Sequence, residues 1–341
     1  MRRVMLVEPE RFVIEEVAIP QPGPAEVILK VERAGICGSD VHIYHGVSSI
    51  KPPVVLGHEF SGTIHSAGAE VKGFKVGDRV TAEPGIECGQ CTYCRSGRYN
   101  LCSKLYTIGA RVDHDGAYAD YVRVPANKLF HLPDDMSFAE GAAVELVACV
   151  THVLDVANIV PGDVVLVIGA GTIGNLAGQA AKMAGAAEVA VADIVPERLA
   201  MARQVGLDKT VNAAETDLVA WAQETFGEGG VNRVFDAAST PKTFQQALQI
   251  VRRGGRVVNI GVATRTVEWH PNVLLREVEL TGMNMYTRRN FEEAFEALDA
   301  GHIQVQPLIT DVYPLAQIEE AYERVQHDPA RSKVMLAPQM G

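Results

Sequence analysis

Three groups of residues in this 341-residue chain have types and spacings that can do chemistry. The first is Cys88-x2-Cys91-x2-Cys94-x7-Cys102, four thiols in a compact polar segment with few large apolar residues. Four thiolates close a tetrahedron around zinc and leave no position open, so this set predicts a structural metal site. The second group is dispersed. Cys37 sits in Gly35-Ile36-Cys37-Gly38-Ser39-Asp40-Val41-His42, and His58-Glu59 follows Gly57. A catalytic zinc takes about three protein ligands and keeps one exchangeable position. Thiolate, imidazole and carboxylate meet that requirement, but spacing alone leaves open whether Cys37 and His58 are ligands or packing residues.

The third group is Gly169-Ala170-Gly171-Thr172-Ile173-Gly174, placed after an apolar run that reads as a strand and before a stretch that reads as a helix. Glycines at these positions permit a tight turn, close approach of a pyrophosphate and tight helix–strand contact. The helix N-terminus then offers N–H groups and a partial positive charge to the phosphates. Asp193 lies 19 residues past Gly174, at the end of the next apolar run. A carboxylate there accepts the adenosine ribose hydroxyls and repels a 2′-phosphate, so the expected cofactor is NAD rather than NADP. Arg198 is expected to pack on the adenosine.

These groups need elements to hold them. Up to about residue 150 the chain reads as β-rich, with short runs (Val4–Val7, Val27–Val31, Gly62–Ser66, Arg79–Ala82, Ala119–Val124) separated by Pro and Gly turns. From about residue 160, strand runs (Val164–Ile168, Glu188–Ala192, Arg233–Phe235, Arg256–Ile260, Val278–Met283) alternate with helical patterns (Ile173–Ala184, from Pro196, Leu218–Phe226, Thr243–Val251). That alternation predicts a parallel sheet wrapped on both faces. Helical patterns at Phe291–Ala300 and Leu315–His327 flank a short run, Pro307–Asp311.

Composition narrows the function classes. Hydrophobic residues make up 47% and charged residues 21%, which argues against a disordered chain, and the mean hydropathy of +0.05 argues against a membrane protein. No apolar run approaches the roughly 18 residues of a membrane span. A net charge of −11 disfavours nucleic acid and anionic membrane as partners. The N-terminal apolar stretch is broken by Glu8, Glu10 and Arg11 and is not a signal peptide, so the expected location is the cytoplasm. Six cysteines, four of them clustered, point to metal rather than a disulfide framework.

Taken together, Gly35–His42, Gly57-His58-Glu59-Phe60, Gly77-Asp78-Arg79-Val80, the four-cysteine segment and the glycine turn with Asp193 resemble the zinc-dependent medium-chain dehydrogenase/reductase family. The resemblance implies an α/β architecture. A GroES-like β-rich catalytic domain (1–151) is interrupted by a Rossmann doubly wound parallel-sheet domain (152–289), and the chain returns to the first domain over 290–341. It implies that Cys37 and His58 are catalytic zinc ligands and that Glu59, as in the polyol and threonine dehydrogenase branches, is the third. Glu145 occupies the place of an acidic residue that can hold the zinc-bound water or exchange with Glu59. Cys149, four residues on, is expected to be a buried thiol. Ser39 and His42 match the family's proton relay from hydroxyl through cofactor ribose to imidazole. Tyr44 and His45 are weaker candidates, and Asp40 is expected to brace the turn carrying Cys37. The NAD contacts implied are Gly169, Gly171, Thr172, Ile173, Gly174, Asp193, Arg198 and Val262.

The reaction implied is hydride transfer between a secondary alcohol and C4 of nicotinamide. Residues 77–85 and 97–102 look most like the sorbitol/xylitol branch, whereas 109–121 looks closer to the threonine 3-dehydrogenase branch. Where the polyol branch carries Arg-Tyr after the Gly282 strand, this chain has Met285-Tyr286, so Arg288 or Arg289 could replace that donor or bind an anionic substituent. The expected substrate is a small polyol or sugar-like alcohol; a threonine-type or sugar-acid dehydrogenase is the enzyme alternative. A zinc-free quinone or enone reductase would not need the thiol sets. A non-enzymatic NAD-binding structural protein should have lost part of the catalytic constellation, and none is missing. The family resemblance implies a homotetramer or homodimer.

Overall fold

The computed structural model describes residues 1–263 and 265–340, and the chain forms two compact units. The first comprises Met1–Glu145 and Ile309–Gly341, the second Leu146–Leu308. The return thus begins at Ile309, later than the expected 290, because the helix Arg288–Asp299 stays with the second unit. That helix buries Asn290, Phe291, Ala294 and Ala297, and the Asn290 carbonyl accepts a hydrogen bond from Thr151 Oγ1 at 2.9 Å. The first boundary falls at Glu145/Leu146, slightly before the expected 151/152 and inside the helix Phe138–Ala157. This helix has no counterpart among the sequence-based expectations. Residues 141–148 are all buried, so the one-sided apolar stripe that reveals a surface helix is weak.

In the first unit the principal sheet runs Ile309–Pro314, Lys333–Ala337, Glu26–Gly35, Glu59–Ala67, Arg79–Ala82 and Leu129–His131, with Tyr121–Pro125 also pairing to Glu26–Gly35. The strands Glu26–Gly35 and Glu59–Ala67 are antiparallel, with Gly35 opposite Glu59, and Met335 of the next strand also faces Gly35. This register decides the site. Cys37 lies two residues past the end of one strand and His58 one residue before the start of its neighbour, so pairing brings them together. Inward-facing Val27, Leu29, Val31, Phe60, Ile64, Val80 and Val122 form the core beneath them, joined by Tyr118 and Tyr322.

The second unit holds a six-stranded parallel sheet in the order Lys209–Asn212, Glu188–Asp193, Val164–Ile168, Val231–Asp236, Val251–Asn259, Glu279–Gly282. Val164–Ile168 is flanked by strands reached in opposite directions along the chain. Its C-terminal end is therefore the topological switch point, where open α/β sheets bind nucleotides. Every expected strand and helix of this region is present within a few residues of the sequence reading. Among the described residues no helix is long and apolar enough to cross a membrane.

Candidate active site

Cys37 caps the short helix Gly38–Tyr44 in extended conformation (φ −93°, ψ 153°), and its backbone N–H donates to Asp40 Oδ2 at 3.0 Å. Asp40 therefore braces the turn, as expected. The Cys37 sulfur, a His58 ring nitrogen and a Glu59 carboxylate oxygen all lie within 4.8 Å of one another. Asp40 Oδ1 stands 3.4 Å from His58 Nδ1, which leaves Nε2 as the ring's other donor atom. Burial lowers the pKa of this imidazole, but the Asp40 carboxylate, helped by Cys37, more than reverses that and holds it well above the ordinary value.

Glu59 is fully buried, and both its oxygens accept from Lys333 Nζ, at 2.9 and 2.8 Å. Lys333 also donates to the Ile36 carbonyl at 2.9 Å. A Cβ at Gly35 would collide with the Glu59 carboxylate, so only glycine lets that side chain lie across the neighbouring strand. Burial pushes the Lys333 ammonium toward neutrality, and the Glu59 charge more than offsets this, raising its pKa. Thiol, imidazole and buried carboxylate converging within 4.8 Å of one another fit a zinc ion with three protein ligands and one open position.

The four-cysteine segment closes on itself. All four sulfurs lie within 4.8 Å of one another, with Cys91 and Cys94 at 3.4 Å and Cys88 and Cys94 at 3.9 Å. Backbone N–H groups of Gln90 and Cys91 lower the Cys88 pKa to about 6, whereas burial and neighbouring sulfurs push Cys94 up to about 12. Thiols crowded this closely cannot all ionise unaided, and a divalent cation relieves the repulsion. The set therefore fits a closed zinc site.

In the second unit, the glycine turn sits at the switch point. Gly169 has φ +106°, Gly171 caps the helix Thr172–Met183, and Asp193 ends the adjacent strand. Asp193 Oδ2 accepts from Ala170 N at 2.6 Å and Oδ1 from Val195 N at 2.9 Å. Its carboxylate thus braces the turn, and each oxygen keeps a further lone pair for a ribose hydroxyl. Ile194 and Val262 are exposed, and Arg198 is half-buried on the following helix.

Residues 23–134 match the alcohol dehydrogenase GroES-like domain and residues 172–300 the zinc-binding dehydrogenase domain. Sorbitol dehydrogenase of Bacillus subtilis is 33% identical over 99% of this chain and 97% of its own length. L-threonine 3-dehydrogenase of Chromobacterium violaceum is 33% identical over 90% of this chain and 91% of its own. A solved oxidoreductase/dehydrogenase of unknown specificity from Escherichia coli superposes with a TM-score of 0.94 at 34% identity, covering 98% of both chains. The chain is a zinc-dependent medium-chain dehydrogenase/reductase of the sorbitol/threonine branch. It is an oxidoreductase that uses NAD and zinc.

Ser39 and His42 of this dehydrogenase are three positions apart on the helix after Cys37, hence on one face, and both are half-buried. His45 is instead paired with Glu10 at 2.6 Å, and Tyr44 stacks on Phe12 with its hydroxyl on the Glu10 carbonyl. Glu145 is buried and its charge is felt by Lys333, but it does not join the Cys37, His58, Glu59 donor group. Cys149 is half-buried, not buried as expected, because its part of the long helix is less enclosed than residues 141–148.

Arg288 pairs with Glu292 at 3.1 Å, while Arg289 pairs with Asp155 at 2.6 Å and Glu293 at 2.9 Å. Both guanidinium groups are committed to carboxylates. Lys333 is the residue that sequence reasoning missed. It lies 274 positions from Glu59 in a segment with no motif, and a lysine directly before the apolar run Val334–Ala337 was the signal available.

Proposed function

We propose that Cys37, His58 and Glu59 hold the catalytic zinc, that Cys88, Cys91, Cys94 and Cys102 hold a structural one, and that the enzyme oxidises a secondary alcohol of a small, uncharged polyol or sugar-like substrate. The observation that carries the reading is the convergence of thiol, imidazole and carboxylate within 4.8 Å at the ends of two paired strands. Zinc in this set supplies Lewis acidity that lowers the pKa of the substrate alcohol. The Ser39 hydroxyl would accept the alcohol proton while releasing its own, and the His42 imidazole, three positions on along the same helix face, would take up the relayed proton and pass it toward solvent. Glu145 stands in reserve as a second carboxylate near Lys333. Asp193 receives the adenosine ribose, and the glycine turn with Thr172 and Ile173 receives the pyrophosphate, while Arg198 and Val262 flank the nucleotide.

Two features support an uncharged polyol. Arg288 and Arg289, which the sequence offered for an anionic substituent, already pair with Glu292 and with Asp155 and Glu293. The similarity to sorbitol dehydrogenase also extends along 99% of the chain. The reading includes a homotetrameric or homodimeric assembly in the cytoplasm. Initial rates of NAD reduction across polyols, sugar acids, L-threonine and simple alcohols test the substrate class. Highest kcat/KM on a polyol is expected, and a clear preference for L-threonine or a sugar acid would overturn it.

Asp193→Ser is expected to weaken NAD about tenfold, since hydrogen bonds to a charged acceptor contribute about 1.5–3 kcal/mol. NADP should weaken less, because the repulsion of its 2′-phosphate also disappears. The ratio of the two affinities is the measure, since loss of the Ala170 N–H bond loosens the turn for both cofactors alike. An unaltered ratio removes Asp193 from the ribose role.

A further inference from the structure

Asp40 is completely buried, and its two carboxylate oxygens have different duties. Oδ2 accepts two hydrogen bonds, from the Cys37 backbone N–H at 3.0 Å and from the Tyr118 hydroxyl at 2.9 Å. Among the described residues Oδ1 makes no hydrogen bond, and it faces His58 Nδ1 at 3.4 Å. A buried carboxylate oxygen without a partner is costly, so any small tilt of the imidazole that closes this gap is favoured. Which oxygen faces the imidazole is decided by what holds the other one.

Tyr118 reaches the same histidine by a second route. Its backbone N–H donates to the Leu56 carbonyl at 2.9 Å, and its ring lies against Gly57, the residue just before His58. A Cβ at Gly57 would overlap that ring, and Gly57 has φ +100°, a region open to glycine. The phenol thus touches the backbone that delivers His58 and the carboxylate that orients its ring. Nothing in the reaction requires this hydroxyl, and a phenylalanine would fill the same volume.

We propose that Tyr118 is a positioning residue for the catalytic zinc ligands, its hydroxyl fixing Asp40 so that one carboxylate oxygen holds the Cys37 turn and the other holds His58 Nδ1. The inference rests on the assignment of Cys37, His58 and Glu59 as zinc ligands. Partners of this kind fix the tautomer and orientation of a ligating histidine, and their loss costs about 10–100-fold in metal affinity. Tyr322 provides an internal comparison. Its ring packs edge-on to Tyr118 with centroids 6.4 Å apart and is equally buried, yet among the described residues its hydroxyl makes no hydrogen bond to Asp40.

The test is zinc affinity, measured on the full-length protein by competition with a chromophoric chelator, together with the visible spectrum of the cobalt-substituted protein. Wild-type protein is expected to hold two zinc ions, one of which is lost in Cys37→Ala. Tyr118→Phe should weaken that same ion about tenfold, shift the cobalt bands and leave the four-cysteine ion in place, which also certifies folding. Tyr322→Phe should stay within twofold of wild type. Adding Tyr118→Phe to Asp40→Asn should cost nothing further, because the tyrosine acts through the aspartate. Unchanged affinity in Tyr118→Phe, equal losses in the two tyrosine variants, or additive losses with Asp40→Asn would overturn the inference. Two ions retained in Cys37→Ala would instead overturn the ligand assignment, and the inference with it.

Discussion

Cys37→Ala and His58→Ala proteins are expected to fold, to bind NAD as tightly as wild type, and to lose turnover by about 10³-fold or more. Lewis-acid stabilisation of developing charge contributes several kcal/mol to the barrier, and each 1.36 kcal/mol is a factor of ten in rate. Either substitution breaks the three-donor set, whose atoms converge within 4.8 Å. The proposed nucleotide contacts at the glycine turn Gly169–Gly174 and at Asp193 all lie in the second unit, away from the substituted residues in sequence, so cofactor affinity should not move. Both substitutions replace half-buried side chains at strand ends and leave the core of Val27, Leu29, Phe60 and Ile64 intact. Steady-state rates paired with calorimetric NAD titration check this. Turnover within tenfold of wild type would remove the residue from the metal site.

Lys333→Met should be the most damaging single change to stability outside the large hydrophobic side chains. It leaves the Glu59 carboxylate, fully buried, without the ammonium that now contacts both its oxygens. Removing one member of a buried ion pair costs about 3–5 kcal/mol, because the remaining charge cannot be rehydrated. For a unit of this size that lowers the melting temperature by about 10 °C. The loss should depend on metal. In the metal-free protein Lys333 is the counter-charge to Glu59, whereas a zinc ion held by Cys37, His58 and Glu59 supplies a replacement. Thermal unfolding of variant and wild type, each with chelator and with zinc, separates the cases. The gap between them should narrow on zinc loading. An equal gap under both conditions would mean that Glu59 does not share its charge with the metal.

The two local sites were legible because each is made within one stretch of chain. The four thiols span fifteen residues, and a loop that short brings them together whatever surrounds it. The nucleotide turn needs one strand, one turn and one helix, and its helix starts at Thr172, within a residue of the expected position. The dispersed site was only half legible. Cys37 and His58 could be named from the motifs around them, but their nearness depends on the pairing of Gly35 with Glu59. Residue types suggest such a register; cross-strand packing decides it. The long helix Phe138–Ala157 escaped notice because burial around residues 141–148 removes the polar face that periodicity detects.

By itself, the sequence determined the family, the α/β plan, the two zinc-binding sets as candidates and the acidic residue at the ribose position, because each rests on residue type and short spacing. Tertiary structure brings Glu59, and not Glu145, within 4.8 Å of Cys37 and His58, and it pairs Arg288 and Arg289 with carboxylates. It alone showed that Lys333 contacts Glu59 and that Tyr118 contacts Asp40. Those outcomes are set by contacts between residues as far as 274 positions apart, and such contacts form only once the strands have paired and the core has closed.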